Sequence, residues 1–244
     1  MNGNRNLADA YDLRVRTLVL WDIDHTLINA GGVSAEIYGT VFHRLIGRPP
    51  GAIAPMAGRT DRAITTDTLR HHGIEPTADL LASFTTALAE SFAARAHEFP
   101  SRGHVLPGAH AALKALAARP DVIQSALTGN MAQIAIIKLT AFGLAGLFDL
   151  DAGAYGMDGV ERPPLVALAQ QRASRKYGEE FTPSNTVLIG DTPHDVRAGH
   201  EGGARVVAVA TGATSASDLR LSGAEVVLAD LTDTPGVLRA ILHA

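Results

Sequence analysis

The chain contains no cysteine. That absence excludes disulfides, thiolate catalysis and cysteine-bound zinc, and it fits a reducing cytoplasm. Long apolar runs are missing too. The best of them, Thr17–Trp21 and Val206–Ala210, fall far below the roughly 18 residues of a membrane span. Residues 1–16 are polar and lack the apolar segment of a signal peptide. No sign of charge dominates: the balance is 21 − 25 = −4, and no basic run follows a helix face. Neither nucleic acid nor an acidic membrane surface is an expected partner. There is no internal repeat or low-complexity segment. What remains is an ordinary globular composition, 46% hydrophobic over 244 residues. That is enough for a large domain, or one domain with a modest insertion.

Short β-rich runs recur with helical patterns between them: Thr17–Ile23, Val122–Leu127, Phe148–Ala152, Thr186–Ile189, Arg205–Val209 and Glu225–Leu228. Apolar strands without alternation, separated by helices, predict a parallel sheet covered on both faces. Ligands of such sheets gather at the carboxyl ends of the strands. Four of the runs end in polar residues there: Asp22-Ile23-Asp24, Thr128-Gly129-Asn130, Asp149 with Asp151, and Asp191-Thr192.

One interval, Gly31 to Gly103, carries no strand pattern. Val33, Ile37, Val41 and Leu45 recur at helical spacing, with Ser34 as N-cap and Gly47 past the end. A second helix is expected from near Thr60 to before Gly73, and a third presents Leu81, Phe84, Leu88 and Phe92 on one face. Residues 31–103 therefore read as a small helical cap inserted into an α/β core made of residues 1–30 and 104–244.

Asp22 and Asp24 alone could be a turn signal and a cap. If the chain stays extended, residues 22, 24 and 26 share a face. Two carboxylates on one strand end repel and call for a hard cation. Asp191 ends another strand, and a helical turn from Thr192 or Pro193 brings Asp195 back over it, unless Asp195 merely serves the helix dipole. Three or four carboxylates at one sheet edge make a Mg²⁺ site with room for a phosphate oxygen. Thr128-Gly129-Asn130 opens a helix, Met131–Leu139, and is either an anion cradle or an ordinary cap.

Trp21-Asp22-Ile23-Asp24-His25-Thr26-Leu27, Leu127-Thr128-Gly129-Asn130 and Ile189-Gly190-Asp191-Thr192-Pro193-His194-Asp195, in that order, resemble the motifs of the haloacid dehalogenase superfamily. Leu106-Pro107-Gly108, before the helix Ala109–Ala118, resembles its phosphoglycolate-phosphatase-like branch. The resemblance spans Leu18 to Ala229 and implies a Rossmann-like core with a helical cap. It implies Asp22 as covalent nucleophile, Asp24 as acid and base, and Thr128 with the Gly129 amide and Asn130 as phosphoryl holders. Mg²⁺ would lie on Asp22, the Asp24 carbonyl and Asp191, with Asp195 in support. The family's basic residue is assigned to Arg162, in Glu161-Arg162-Pro163-Pro164. Lys138 competes, but about 12 Å along its helix it reads as a solvated residue. Gly58-Arg59-Thr60-Asp61 resembles a substrate-facing cap loop, in which Arg59 and Thr60 either meet substrate or serve as surface and cap. His25 stands where the family often has Gly, and reads as structural or as lining the entrance.

The expected activity is hydrolysis of a small phosphate monoester, phosphoglycolate or a sugar phosphate, by a cytoplasmic monomer or homodimer. Asp24 argues against a dehalogenase, and the lack of any lysine in the Gly31–Gly103 interval argues against a phosphonatase. A phosphomutase on the same scaffold stays open. A non-enzymatic phospho-accepting or binding domain is the remaining alternative, disfavoured by the length and the complete motif set.

Overall fold

The computed structural model describes residues 16–243. The polar stretch read as lacking a signal peptide therefore lies, up to residue 15, outside the described residues. Five strands, β1 (Thr17–Trp21), β4 (Val122–Ala126), β5 (Thr186–Gly190), β6 (Arg205–Val209) and β7 (Val226–Leu228), form one parallel sheet in the order β4-β1-β5-β6-β7. Alternate residues of β1 enter opposite cores, as a strand's period of two requires. Val19 and Trp21 pack with Leu113 and Leu116 of α5 (Ala109–Ala117) and Val237 and Ile241 of α10 (Thr234–Leu242). Leu18 and Leu20 face Leu165, Val166 and Ala169 of α7 (Pro163–Tyr177), with Ala198 of α8 (Pro193–Gly202). α9 (Ala216–Leu221) flanks β7. This is the expected α/β sheet with helices on both faces.

Trp21 pairs with Ala126 on one side and Ile189 on the other, so the carboxyl ends of β1, β4 and β5 lie level. The strand order diverges around β1, which places the crevice of this sheet at Asp22.

Between the short antiparallel strands β2 (Ile28–Asn29) and β3 (His104–Val105) lie four helices: α1 (Val33–Ile46), α2 (Asp61–His71), α3 (Ala78–Ala94) and α4 (Glu98–Arg102). They share an apolar cluster that includes Ile37, Phe42, Phe84, Leu88, Phe92 and Phe99. Met131 and Ile134, at the start of α6 (Ala132–Ala141), join it. α1 begins earlier than predicted: Gly32 is its N-cap, and Ser34 lies in the first turn. The reason is the left-handed Gly32, whose carbonyl already accepts Glu36 N–H at 3.3 Å. Gly47 ends the helix and Thr60 caps α2.

Phe148–Ala152 is not a strand. Asp149 accepts the Asp151 N–H and starts a 3-10 turn over Leu150–Ala152. The segment stays beside β4 through Asp149 N–H to Gln124 O (2.8 Å) and Ala154 N–H to Ala126 O (2.9 Å), without becoming a sixth strand. Among the described residues no helix is long and apolar enough to cross a membrane.

Candidate active site

β1 stops at Trp21, and Asp22 emerges at its carboxyl end with its N–H still held by Ile189 O at 2.8 Å. The chain then turns back through His25, whose φ of 62° is the one positive value of a non-glycine among the described residues. That turn separates the three side chains read as sharing a face. Thr26 donates to Asp191 Oδ1 at 3.1 Å. Asp24 instead meets Lys138.

Asp22, Asp191 and Asp195 each place an oxygen within 4.8 Å of the others, and all three are buried. Asp191 follows β5. Asp195 is held by the first turn of α8: its carboxylate accepts the Thr192 N–H and hydroxyl, at 3.0 and 2.6 Å, while Thr192 caps the helix. Arg162, at the start of α7, reaches Asp195 Oδ1 at 2.5 Å, Leu127 O at 3.1 Å and Asp22 Oδ1 at 3.3 Å. One guanidinium thus faces three buried carboxylates. Burial, with the negative charges of Asp195 and Asp24, pushes Asp22 up to about 7 despite Arg162. Burial, with Asp22 and Asp195, pushes Asp191 up to about 8. The cluster is short of positive charge.

β4 continues through Leu127 into Thr128-Gly129-Asn130, before α6. Residues 58–61 lie directly on this loop. Asp61 N–H donates to Gly129 O at 2.7 Å, and a Cβ on Gly129 would stand 1.9 Å from Arg59 O. Only glycine permits that approach. The Asp61 carboxylate accepts from Tyr38 Oη at 2.6 Å and from Met131 N–H at 2.7 Å. Burial outweighs these bonds and raises the Asp61 carboxyl.

Lys138 is not solvated. It is 2% exposed, and its Nζ donates to Asp24 Oδ2 at 2.6 Å and Asn130 Oδ1 at 2.8 Å. Distance along the axis misleads because helical side chains lean toward the N-terminus, and a lysine stem covers about 6 Å of the interval. Burial alone would raise Asp24; the Lys138 charge and hydrogen bond, with Asn130, hold it below its ordinary value.

A cavity of about 200 Å³ opens over these groups, between the sheet edge and helices α1 to α3. Asp22, Asp24, Thr128, Gly129, Asn130, Arg162 and Asp191 all line it, as do Lys138, Tyr38 and Asp61. Arg59 lines it as well, but its guanidinium is paired with Asp67. Thr60 is not among the lining residues: its hydroxyl donates to Val160 O at 2.8 Å and accepts Ala63 N–H. Asp195 sits behind Arg162 rather than on the cavity wall. Asp149 pairs with Lys176 and Tyr177, and Asp151 with Lys176, away from the cavity. His25 is exposed at the cavity rim. Tyr38, beside the stripe of Val33, Ile37, Val41 and Leu45, was not singled out in the sequence, and Asp61 entered only as the last residue of the Gly58-Arg59-Thr60-Asp61 segment, with no role of its own.

An acidic sheet edge facing a helical insertion defines a class, and the sequence comparison agrees with it. Residues 19–200 match the haloacid dehalogenase-like hydrolase family, and the chain belongs to it. It is a hydrolase of that family. Its structure resembles a hydrolase from Pseudomonas syringae (20% identity, TM-score 0.67, covering 93% of this chain and 99% of the other). It also resembles a predicted phosphoglycolate phosphatase from Haemophilus somnus (20%, 0.62, 92% and 99%). A third relative is a variant of CbbY from Rhodobacter sphaeroides in complex with xylulose-(1,5)bisphosphate (18%, 0.68, 89% and 96%). At such identities the likeness concerns the fold. No curated protein matches the chain significantly.

Proposed function

We propose that the protein hydrolyses a small phosphate monoester, of the phosphoglycolate or sugar-phosphate kind, with Mg²⁺ as cofactor and Asp22 as nucleophile. The observation that carries this reading is the position of Asp22. It lies at the end of β1, 3.3 Å from Arg162 and within 4.8 Å of Asp191 and Asp195, facing a cavity that Thr128 and Gly129 also line. A cavity of about 200 Å³ suits a small ester rather than a polymer. Residues 31–103 would serve as its cap over a core of residues 1–30 and 104–244.

The donor set fits Mg²⁺: three buried carboxylates, counted as ionised, and one guanidinium sum to 1 − 3 = −2. Hard oxygen donors match that ion. Asp22, Asp191 and the Asp24 carbonyl would hold it, with Asp195 holding Arg162 and the loop behind. When bound, the cation would supply the positive charge that lets a carboxylate and a phosphate dianion approach one another.

An Asp22 oxygen attacks phosphorus, and the ester P–O bond breaks with its electron pair leaving on the alcohol oxygen. Asp24 gives that oxygen a proton. Lys138 holds Asp24 in its anionic form, and the incoming phosphoryl dianion opposes that, favouring proton uptake. Asp24 then takes a proton from a water whose oxygen attacks the same phosphorus. The bond to Asp22 breaks, and inorganic phosphate leaves. Arg162 steadies Asp22 through both displacements, and Thr128 with Gly129 holds the phosphoryl oxygens.

The test is phosphate release from a panel of small esters, with Mg²⁺ or with EDTA, by the wild type and by Asp22→Asn. Release in Mg²⁺ that Asp22→Asn lowers ~10³-fold or more is expected. Equal turnover in the variant would remove Asp22 as nucleophile, and equal turnover in EDTA would remove the cation.

A further inference from the structure

We infer that Lys138 is a positioning residue for both Asp24 and Thr128, so that the site uses two cations with separate tasks; this rests on the phosphatase reading. Arg162 serves Asp22 and Asp195. Lys138 reaches neither. It lines the same cavity, with its ammonium 5.6 Å from the Phe92 ring centroid on α3.

The network has one consistent set of hydrogen-bond directions. An ammonium can only donate, so Asn130 must turn its oxygen toward Lys138, at 2.8 Å. Asn130 Nδ2 is then obliged to donate, and it does so to Asp24 Oδ2 at 2.8 Å and to Thr128 Oγ1 at 2.9 Å. Asp24 Oδ2 therefore receives both Lys138 and Asn130. Asp24 Oδ1 has no hydrogen bond among the described residues and is left for substrate. Thr128 Oγ1 accepts from Asn130 Nδ2 and, at 3.3 Å, from Asn130 N–H. With its lone pairs engaged, the hydroxyl keeps its proton for a phosphoryl oxygen.

Lys138 thus fixes which carboxylate oxygen of Asp24 meets the leaving group, and through Asn130 it fixes Thr128 as a donor. Without the ammonium, Asp24 loses one of the two donors to its Oδ2, and the Asn130 oxygen loses its partner, so that the orientation of the amide toward Thr128 rests on Asp24 alone. Sequestration from water strengthens these bonds, and Phe92 helps to exclude it.

The experiment compares two esters, p-nitrophenyl phosphate and a simple alkyl phosphate such as glycerol phosphate, in the wild type, Lys138→Met, Asp24→Asn and the double variant. An alkoxide needs a proton on departure, whereas p-nitrophenolate hardly does. Lys138→Met is expected to lower kcat on the alkyl ester by ~10²-fold or more, the usual worth of a placed acid. On p-nitrophenyl phosphate the loss should stay below about 10-fold. The double variant should be no slower on the alkyl ester than Asp24→Asn alone, because the two act as a unit. Asn130→Ala, which keeps the Lys138–Asp24 pair, should slow both esters by similar factors.

Equal losses on the two esters in Lys138→Met, an additive double variant, or an unchanged or faster alkyl ester would overturn the inference. Melting curves accompany every variant. Should Lys138→Met not fold, Lys138→Arg and Asn130→Ala carry the test. The arginine keeps the charge and must keep the alkyl-ester rate within about 10-fold, and an alkyl-selective loss in Asn130→Ala would refute the division of tasks. If the wild type releases phosphate from neither ester, the phosphatase reading itself fails and takes the positioning role with it.

Discussion

Removing Arg162 tests the charge arithmetic of the site most directly. Arg162 is 5% exposed, so solvent screens its pairs little, and it is the cation in contact with Asp22 and Asp195. Arg162→Met keeps an apolar stem of similar length and leaves three buried carboxylates with no cation touching them. Breaking a buried ion pair on one side costs about 3–5 kcal/mol. For a chain of this length that is a fall in Tm of ~6–20 °C in metal-free buffer. The variant site, at 0 − 3 = −3 rather than −2 with all three carboxylates ionised, should then bind Mg²⁺ more tightly. A cation at 100 times its Kd returns about 2.7 kcal/mol, so part of the loss is recoverable. Melting curves of both proteins in EDTA and across a Mg²⁺ series measure this. The expected result is a larger Mg²⁺-dependent rise in Tm for the variant than for the wild type. A smaller rise would mean that guanidinium and cation do not share the same negative charge. A metal-free loss below about 1 kcal/mol would mean that the carboxylates are not held ionised by Arg162.

Two further outcomes concern stability. Glu36 and Glu98 are lowered to about 2, by hydrogen bonds from Arg102 and Arg95 in the first case and from the same two arginines in reverse order in the second. Folded values below the unfolded 4.5 give stability that is present above pH 4.5 and lost as pH falls toward 2. Glu36→Gln should therefore flatten the acid side of the stability profile in that window, and added salt should mimic it; an unchanged profile would rule the network out as a contributor. His25→Gly relieves a left-handed backbone at an exposed position. The gain should be ~0.5–1 kcal/mol after glycine's own entropic cost, read by denaturant unfolding; a loss would show that the imidazole has partners of its own.

The sheet was legible because buried parallel strands carry no polar alternation, and five of six runs obeyed that rule. Phe148–Ala152 failed it for a local reason. An aspartate that can accept the N–H two residues on offers the backbone a turn in place of a ladder, and Asp149 takes it. The start of α1 failed similarly: Ser34 is a good cap by residue type, but Gly32 can adopt the left-handed backbone that begins the helix earlier.

At the site, what was visible was whatever sits within a few residues of a strand end, because the sheet itself delivers those positions to one edge. Lys138 lies outside that range, and judging it by distance along the helix made it solvent. The informative signal was composition. Ala132–Ala141 is apolar nearly all round, with Ile134, Ile136, Ile137 and Leu139 flanking a single cation. A helix of that kind is expected to be buried, and a buried ammonium must find an anion. Asp24 is the carboxylate of the first motif that Arg162 does not touch. The pairing of Lys138 with Asp24 follows from charge satisfaction even where axial geometry argued against it, so an isolated lysine in an apolar helix beside a phosphate loop should be assigned to the site before it is assigned to solvent.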